Sequence, residues 1–182
     1  MNVELVSLQR QLLGLLKATY QVSETDTAYI RAVAQSPRLK VMQDIIEWWR
    51  TFSLEQYSFL TVPLLKRRNL FQESLRKLVV THPVSPFREA MGMSFLREMS
   101  SHQDALISAV AQFELAFILV KQGDADEYVI DWQHEPYQVL ASLLSGTVLD
   151  DESIRGSYQT LLSSKIEGMF RVADIGTISA GQ

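Results

Sequence analysis

From residue 5 to about residue 121 the apolar positions of this 182-residue chain recur every three or four residues, the period of a helix with one buried face. Leu5, Leu8, Leu12, Leu15, Leu16 and Tyr20 put one stripe on a first helix. Residues 23–27 are turn-like, and Thr25 or Asp26 is placed to cap a short helix ending at Ala34. Pro37 stops that element, because the residue before a proline avoids helical geometry. The stretch 38–52 predicts a helix with Leu39, Met42, Ile45, Ile46 and Trp49 on its inner face. Ser53 and Gln56 have the spacing of a capping box for the next helix, and another starts near Pro63. Residues 64–80 predict a single basic helix with Leu70, Leu75 and Leu78 inward, ended by His82-Pro83. Two more helices, over 86–100 and 101–121, follow. The second carries Leu106, Ile107, Val110, Phe113, Phe117 and Val120 and closes at Gly123.

After Gly123 the period changes. Residues 127–132 (EYVIDW) alternate and are rich in strand-forming types. Residues 136–145 form a short helix with Pro136 in its first turn and Gly146 just past its end. Residues 157–164 and 166–172 predict two further strands, a hairpin turning at Ser164-Lys165. The expected fold is mostly α: a helical lobe over 1–121, then a small α+β lobe over 124–175 with a short antiparallel sheet, and a frayed tail over 176–182.

Composition sharpens the class. With 47% hydrophobic and 21% charged residues the chain can bury an ordinary core. The absence of cysteine removes disulfides, thiolate metal ligands and cysteine nucleophiles, and suits the cytoplasmic location expected here. Glu4, Arg10 and Lys17 interrupt the apolar start, so no secretory signal is expected. Gln112 and Glu114 interrupt the most apolar run, which reads as a buried helix rather than a membrane span. Charge is polarised. Residues 64–100 carry seven basic against three acidic side chains, and residues 101–182 carry four against twelve.

Catalytic patterns are missing. His82, His102 and His134 stand in separate elements without metal-ligand spacing. Asp124, Asp126 and Glu127 resemble the start of a calcium loop, but the glycine that loop needs at its sixth position is absent. Ser100, Ser101 and His102 are too close in sequence to form a triad by themselves, and no phosphate-binding glycine loop or nucleophile elbow occurs. The expectation is a protein with no catalysis and no cofactor of its own.

Surfaces remain. Lys66, Arg67, Arg68, Arg76 and Lys77 would serve either a protein partner or, in an alternative reading, a DNA-binding transcriptional regulator working through helix 64–80. The acidic second lobe opposes a polyanion and weighs toward protein. Tyr128, Val129, Ile130 and Trp132, or Tyr158, Leu161 and Leu162, would line a sheet edge that takes an extended peptide as an added strand.

The run QYSFLTVPLLKRRNLFQESLRKLVVTHPV resembles the N-terminal region of a family described only as DNA-binding domains of unknown function. AQFELAFILV is similar to that family's glutamate-bearing long helix. EYVIDWQHEPYQVLASLLSG and SSKIEGMFRV are similar to the C-terminal lobe of members from ribosomal-peptide biosynthesis. Those members are the partner subunits of multinuclear non-haem iron-dependent oxidases, as in methanobactin and thiaglutamate pathways. The resemblance covers most of residues 45–172. It implies a non-catalytic accessory subunit, paired as a heterodimer with an iron-dependent oxidase. The helical lobe would meet the enzyme and the C-terminal sheet would present a precursor peptide. Iron would belong to the partner, which oxidises a cysteine of the peptide.

Overall fold

The computed structural model describes residues 3–81, 87–149 and 154–175. The chain is mostly α, with a small antiparallel sheet at its C-terminal end. The described helices are α1 (Val3–Leu16), α2 (Ala28–Gln35), α3 (Pro37–Tyr57), α4 (Thr61–Arg67), α5 (Phe71–Thr81), α6 (Arg88–Met99), α7 (Ala105–Gln122) and α8 (Pro136–Ser145). The strands are β1 (Glu127–His134), β2 (Arg155–Ser163) and β3 (Phe170–Asp174), ordered β1-β2-β3 with both pairings antiparallel. The expected helix stop at His82-Pro83, the expected helix start at Pro86 and the tail over 176–182 lie outside the described residues.

Helix α7 is the hub. Asp104 caps it by accepting the amides of Leu106 (2.9 Å) and Ile107 (3.2 Å), so it begins after 101–104 rather than at Ser101. Leu106, Ile107, Val110 and Phe113 are buried, and Phe113 meets Trp132 of β1 and Phe170 of β3 edge-on. One cluster of buried side chains therefore runs from Leu54 and Leu65 through α6 and α7 to Ile130, Val139 and Leu162.

The basic helix predicted over 64–80 is two helices. Asn69 takes a left-handed φ of 57°, the Asn69 amide donates to Lys66 O (3.1 Å), and the Leu70 amide donates to Leu65 O (2.8 Å). This pair of bonds is the Schellman closure, which terminates a helix on a left-handed residue. Helix α1 ends the same way at Ala18 (φ 55°), two residues short of Tyr20. Tyr20 instead donates its hydroxyl to Asp26 (2.6 Å), and Asp26 accepts the Ser23 amide, holding the turn. The cap of α2 is Thr27, not Thr25 or Asp26.

Two more expectations change. Helix α3 runs through Ser53, which is buried inside it rather than capping a new helix. Its inner side carries Arg50, Ser53 and Leu54, while Met42 and Ile45, expected inside, are exposed. The β2–β3 hairpin turns later than Ser164-Lys165. Gly168 and Met169 both adopt positive φ, Met169 O accepts the Ser163 amide (2.9 Å), and β3 begins only at Phe170.

Candidate functional site

The expected peptide-binding residues separate into two sets. Ile130, Trp132 and Leu162 are buried in the core, and Tyr128 and Tyr158 are half-buried; of the six, Val129 alone is exposed. Alternation explains this, because every second side chain of β1 points at α7. The sheet order decides the edges: β2 lies between β1 and β3, so Tyr158, Leu161 and Leu162 supply no free edge. Among the described strands that leaves β1 and β3 at the margins. At Gly156 a Cβ would fall 2.5 Å from the far edge of the Tyr158 ring, so a larger residue there requires that ring to shift.

Beside the second half of β1 lies a groove of about 480 Å³, bounded by His102, Ser108 and Gln112 on one side and Asp131, Trp132 and Gln133 on the other. Its polar groups are partly committed. Ser108 Oγ donates to Ser100 O (2.6 Å), Gln112 Nε2 donates to Ser100 O (3.1 Å) and to Ser108 Oγ (3.0 Å), and Asp131 accepts Gln159 Nε2 (2.8 Å). His102 Nδ1 accepts the Asp104 amide (3.0 Å), which directs its other ring nitrogen elsewhere. Trp132 differs: it is buried, and its indole N–H has no acceptor among the described residues. A buried donor without an acceptor is destabilising by about 1–3 kcal/mol. Nothing in the sequence marks this N–H, because burial and partners are set by α7.

The five basic residues do not form one face. Lys66 Nζ pairs with Glu55 (2.6 Å) and stands over the Phe71 ring; Lys77 Nζ pairs with Glu98 (3.1 Å). Arg67 donates to both Ser142 Oγ (2.9 Å) and Ser142 O (2.7 Å) on α8. Its charge thus meets a carbonyl in the last turns of α8, the electronegative end. Arg68 also has a partner within the chain. Arg76 is exposed and has no polar partner among the described residues.

Two features have roles that the sequence does not show. The first is Glu114, fully buried on α7, whose carboxylate accepts the amides of Leu60 (3.0 Å) and Thr61 (2.9 Å) and the Thr61 hydroxyl (2.7 Å). Burial pushes its carboxyl up to about 7 against the pull of those hydrogen bonds. The second is the outer side of α3, where Val41, Ile45, Trp48 and Phe52 lie exposed at four- and three-residue steps. The rings of Trp48 and Phe52 stack at 5.6 Å, and Trp48 is 64% exposed.

Among the described residues no three His, Cys, Asp or Glu side chains gather where they would hold a metal ion. Helix α7 is long and apolar enough by composition to cross a membrane, and half of it is buried within the protein. Compared with known protein families, curated proteins and solved structures, the chain matches none.

Proposed function

We propose that the chain is an accessory subunit, without catalysis of its own, that binds a multinuclear non-haem iron-dependent oxidase and holds a ribosomally made peptide for cysteine oxidation. The observation that carries the peptide part is the groove beside β1. That groove runs along an edge strand and presents His102, Gln112, Asp131 and Gln133 as polar groups beside a peptide main chain. β1 is a marginal strand whose ladder an extended chain can join, with Val129 offering an exposed apolar contact. Main-chain pairing would supply affinity, and the groove would supply selectivity.

A protein partner is supported by α3. A row of four exposed apolar side chains, two of them stacked aromatics, suits burial against another protein surface and offers phosphate nothing. Lys66, Arg67 and Lys77 are engaged within the chain, which leaves little of a coherent basic face for nucleic acid. The identity of the partner as an iron oxidase, and of the reaction as cysteine oxidation, rests on the family resemblance of residues 45–172. Iron and oxygen chemistry would belong wholly to that enzyme.

The test is co-expression with the iron oxidase and the short cysteine-bearing peptide that this reading expects to be encoded beside it. Co-elution on gel filtration is expected, with an interface of about 1,600 Å² or more. Val129→Asp, which replaces the exposed apolar contact on β1 with a charge, should weaken peptide binding about fivefold or more. Separate elution, together with peptide oxidation that is equally fast without this chain, would sink the proposal.

A further inference from the structure

Arg50 sits on α3 with 7% of its surface exposed and makes no hydrogen bond or ion pair among the described residues. An arginine does not escape burial by losing its proton, so its charge stays. Glu47, one turn earlier on the same helix, is exposed and does not come within ion-pair distance, although its charge favours the guanidinium. Burial nonetheless pushes Arg50 below its ordinary value. Arg67 shows the contrast: less buried, it still has two bonds to Ser142. A cation held largely out of water without a counter-charge is destabilising unless solvent or a ligand reaches it.

Arg50 opens onto a cavity of about 350 Å³ between the end of α1, α3 and α5. Arg76, exposed and without a polar partner among the described residues, lines the same cavity, as does Lys17. Leu16, Leu75 and Val79 form apolar walls. The volume falls in the lower range of small-molecule sites, which combine apolar walls with a few converging polar groups.

We propose that this cavity is a binding site for a small organic monocarboxylate, with Arg50 and Arg76 holding the carboxylate and the apolar walls holding a short hydrocarbon body. The planar guanidinium fork matches a carboxylate through two parallel hydrogen bonds. The apolar walls of Leu16, Leu75 and Val79 favour a ligand with a hydrocarbon body over inorganic phosphate, which has none to bury. A ligand so placed provides the counter-charge that the fold withholds from Arg50. The site is separate from the β1 groove, and neither proposal depends on the other.

The experiment titrates the full chain with hexanoate, followed by amide and arginine side-chain N–H resonances, with hexanol, acetate and inorganic phosphate as comparison probes. Saturable shifts at Ala18, Thr19 and the Arg50 side chain are expected with hexanoate. Hexanol and acetate should bind about tenfold or more weakly, each lacking one half of the recognition. Arg50→Gln should abolish the hexanoate response. Arg76→Ala, which removes an exposed side chain with no intrachain bond, should weaken it about threefold or more while the rest of the spectrum is unchanged. If Arg50→Gln does not fold, the Arg76→Ala titration decides. Binding of hexanol as tight as hexanoate, phosphate as tight as hexanoate, an unaltered response in Arg76→Ala, or no saturable shift overturns the proposal.

Discussion

Glu114 and Thr61 are joined by two hydrogen bonds across 53 residues: the carboxylate takes the Thr61 amide at 2.9 Å and its hydroxyl at 2.7 Å. Helix α4 begins at Thr61 behind Leu60, which has no side-chain oxygen to cap it. The orphan amides of its first turn are satisfied from α7 instead. One buried side chain thus does the work of an N-cap and fastens α4 to the central helix.

This arrangement makes stability pH-dependent. The Glu114 carboxyl holds its proton more tightly in the folded chain than unfolded, about 7 against 4.5. The folded state therefore loses stability as pH rises between those values and levels off above them. The loss is expected to reach about 3 kcal/mol, read from urea unfolding across that range. Glu114→Gln should abolish it, and Glu114→Ala, which orphans three donors, should destabilise by about 2–4 kcal/mol. A wild-type profile as flat as that of the Gln variant would contradict the account.

Gly92 of α6 lies against Tyr57 of α3 so closely that a Cβ would overlap the tyrosine ring. Gly92→Ala should cost about 2–3 kcal/mol in chemical denaturation. Shrinking the neighbour in Tyr57→Leu/Gly92→Ala should recover part of that loss. A double variant no better than the sum of its parts would show the ring is not the obstacle.

The helix ends make a separate prediction. Asn69 and Ala18 both hold left-handed φ, a conformation Asn tolerates and Ala does not. Ala18→Gly should stabilise by about 1 kcal/mol, whereas Asn69→Val should destabilise by about 1–2 kcal/mol. Thermal melts of the two variants should move in opposite directions.

Arg67 and Arg76 allow a controlled comparison of two basic residues on neighbouring helices. Arg67→Ala should lower stability by about 1 kcal/mol, since it removes two charge-assisted bonds to Ser142, whose carbonyl keeps the Gly146 amide (3.0 Å). Arg76→Ala should change stability by less than about 0.5 kcal/mol. Equal effects would mean that the Arg67 bonds contribute nothing.

Trp48→Glu places a charge in the exposed row on α3. It should leave the melting temperature nearly unchanged, because the ring packs chiefly on Phe52 and solvent. It should prevent co-elution with the oxidase partner. If the chain instead self-associates and Trp48→Glu makes it monomeric, the row serves a second copy of the chain.

Much of the architecture is legible in the sequence because it is written by short-range chemistry. The α7 stripe, Gly123 closing it and the helix set between Pro136 and Gly146 all follow from rules that span about four residues. The alternation of β1 is equally local, and it already implies that half of Tyr128, Val129, Ile130 and Trp132 must be core. Asn69 was a local signal too, but three basic residues before it and a leucine-rich run after it made a continuous helix the simpler reading. Met42 and Ile45 misled for a different reason. An amphipathic pattern identifies an apolar side, and α3 has apolar residues on more than one.

Local propensity and periodicity, then, determined the kind of most elements, the class of fold, and the helix ends marked by Gly123 and Gly146. The tertiary structure alone decided which side of α3 faces inward, that β2 is the middle strand, and that Glu114 caps a helix 53 residues away. It alone placed Trp132 and Arg50 where, among the described residues, the one has no acceptor and the other no counter-ion. The physical reason is that the energy of a buried polar group depends on what packs around it, and those neighbours come from distant parts of the chain.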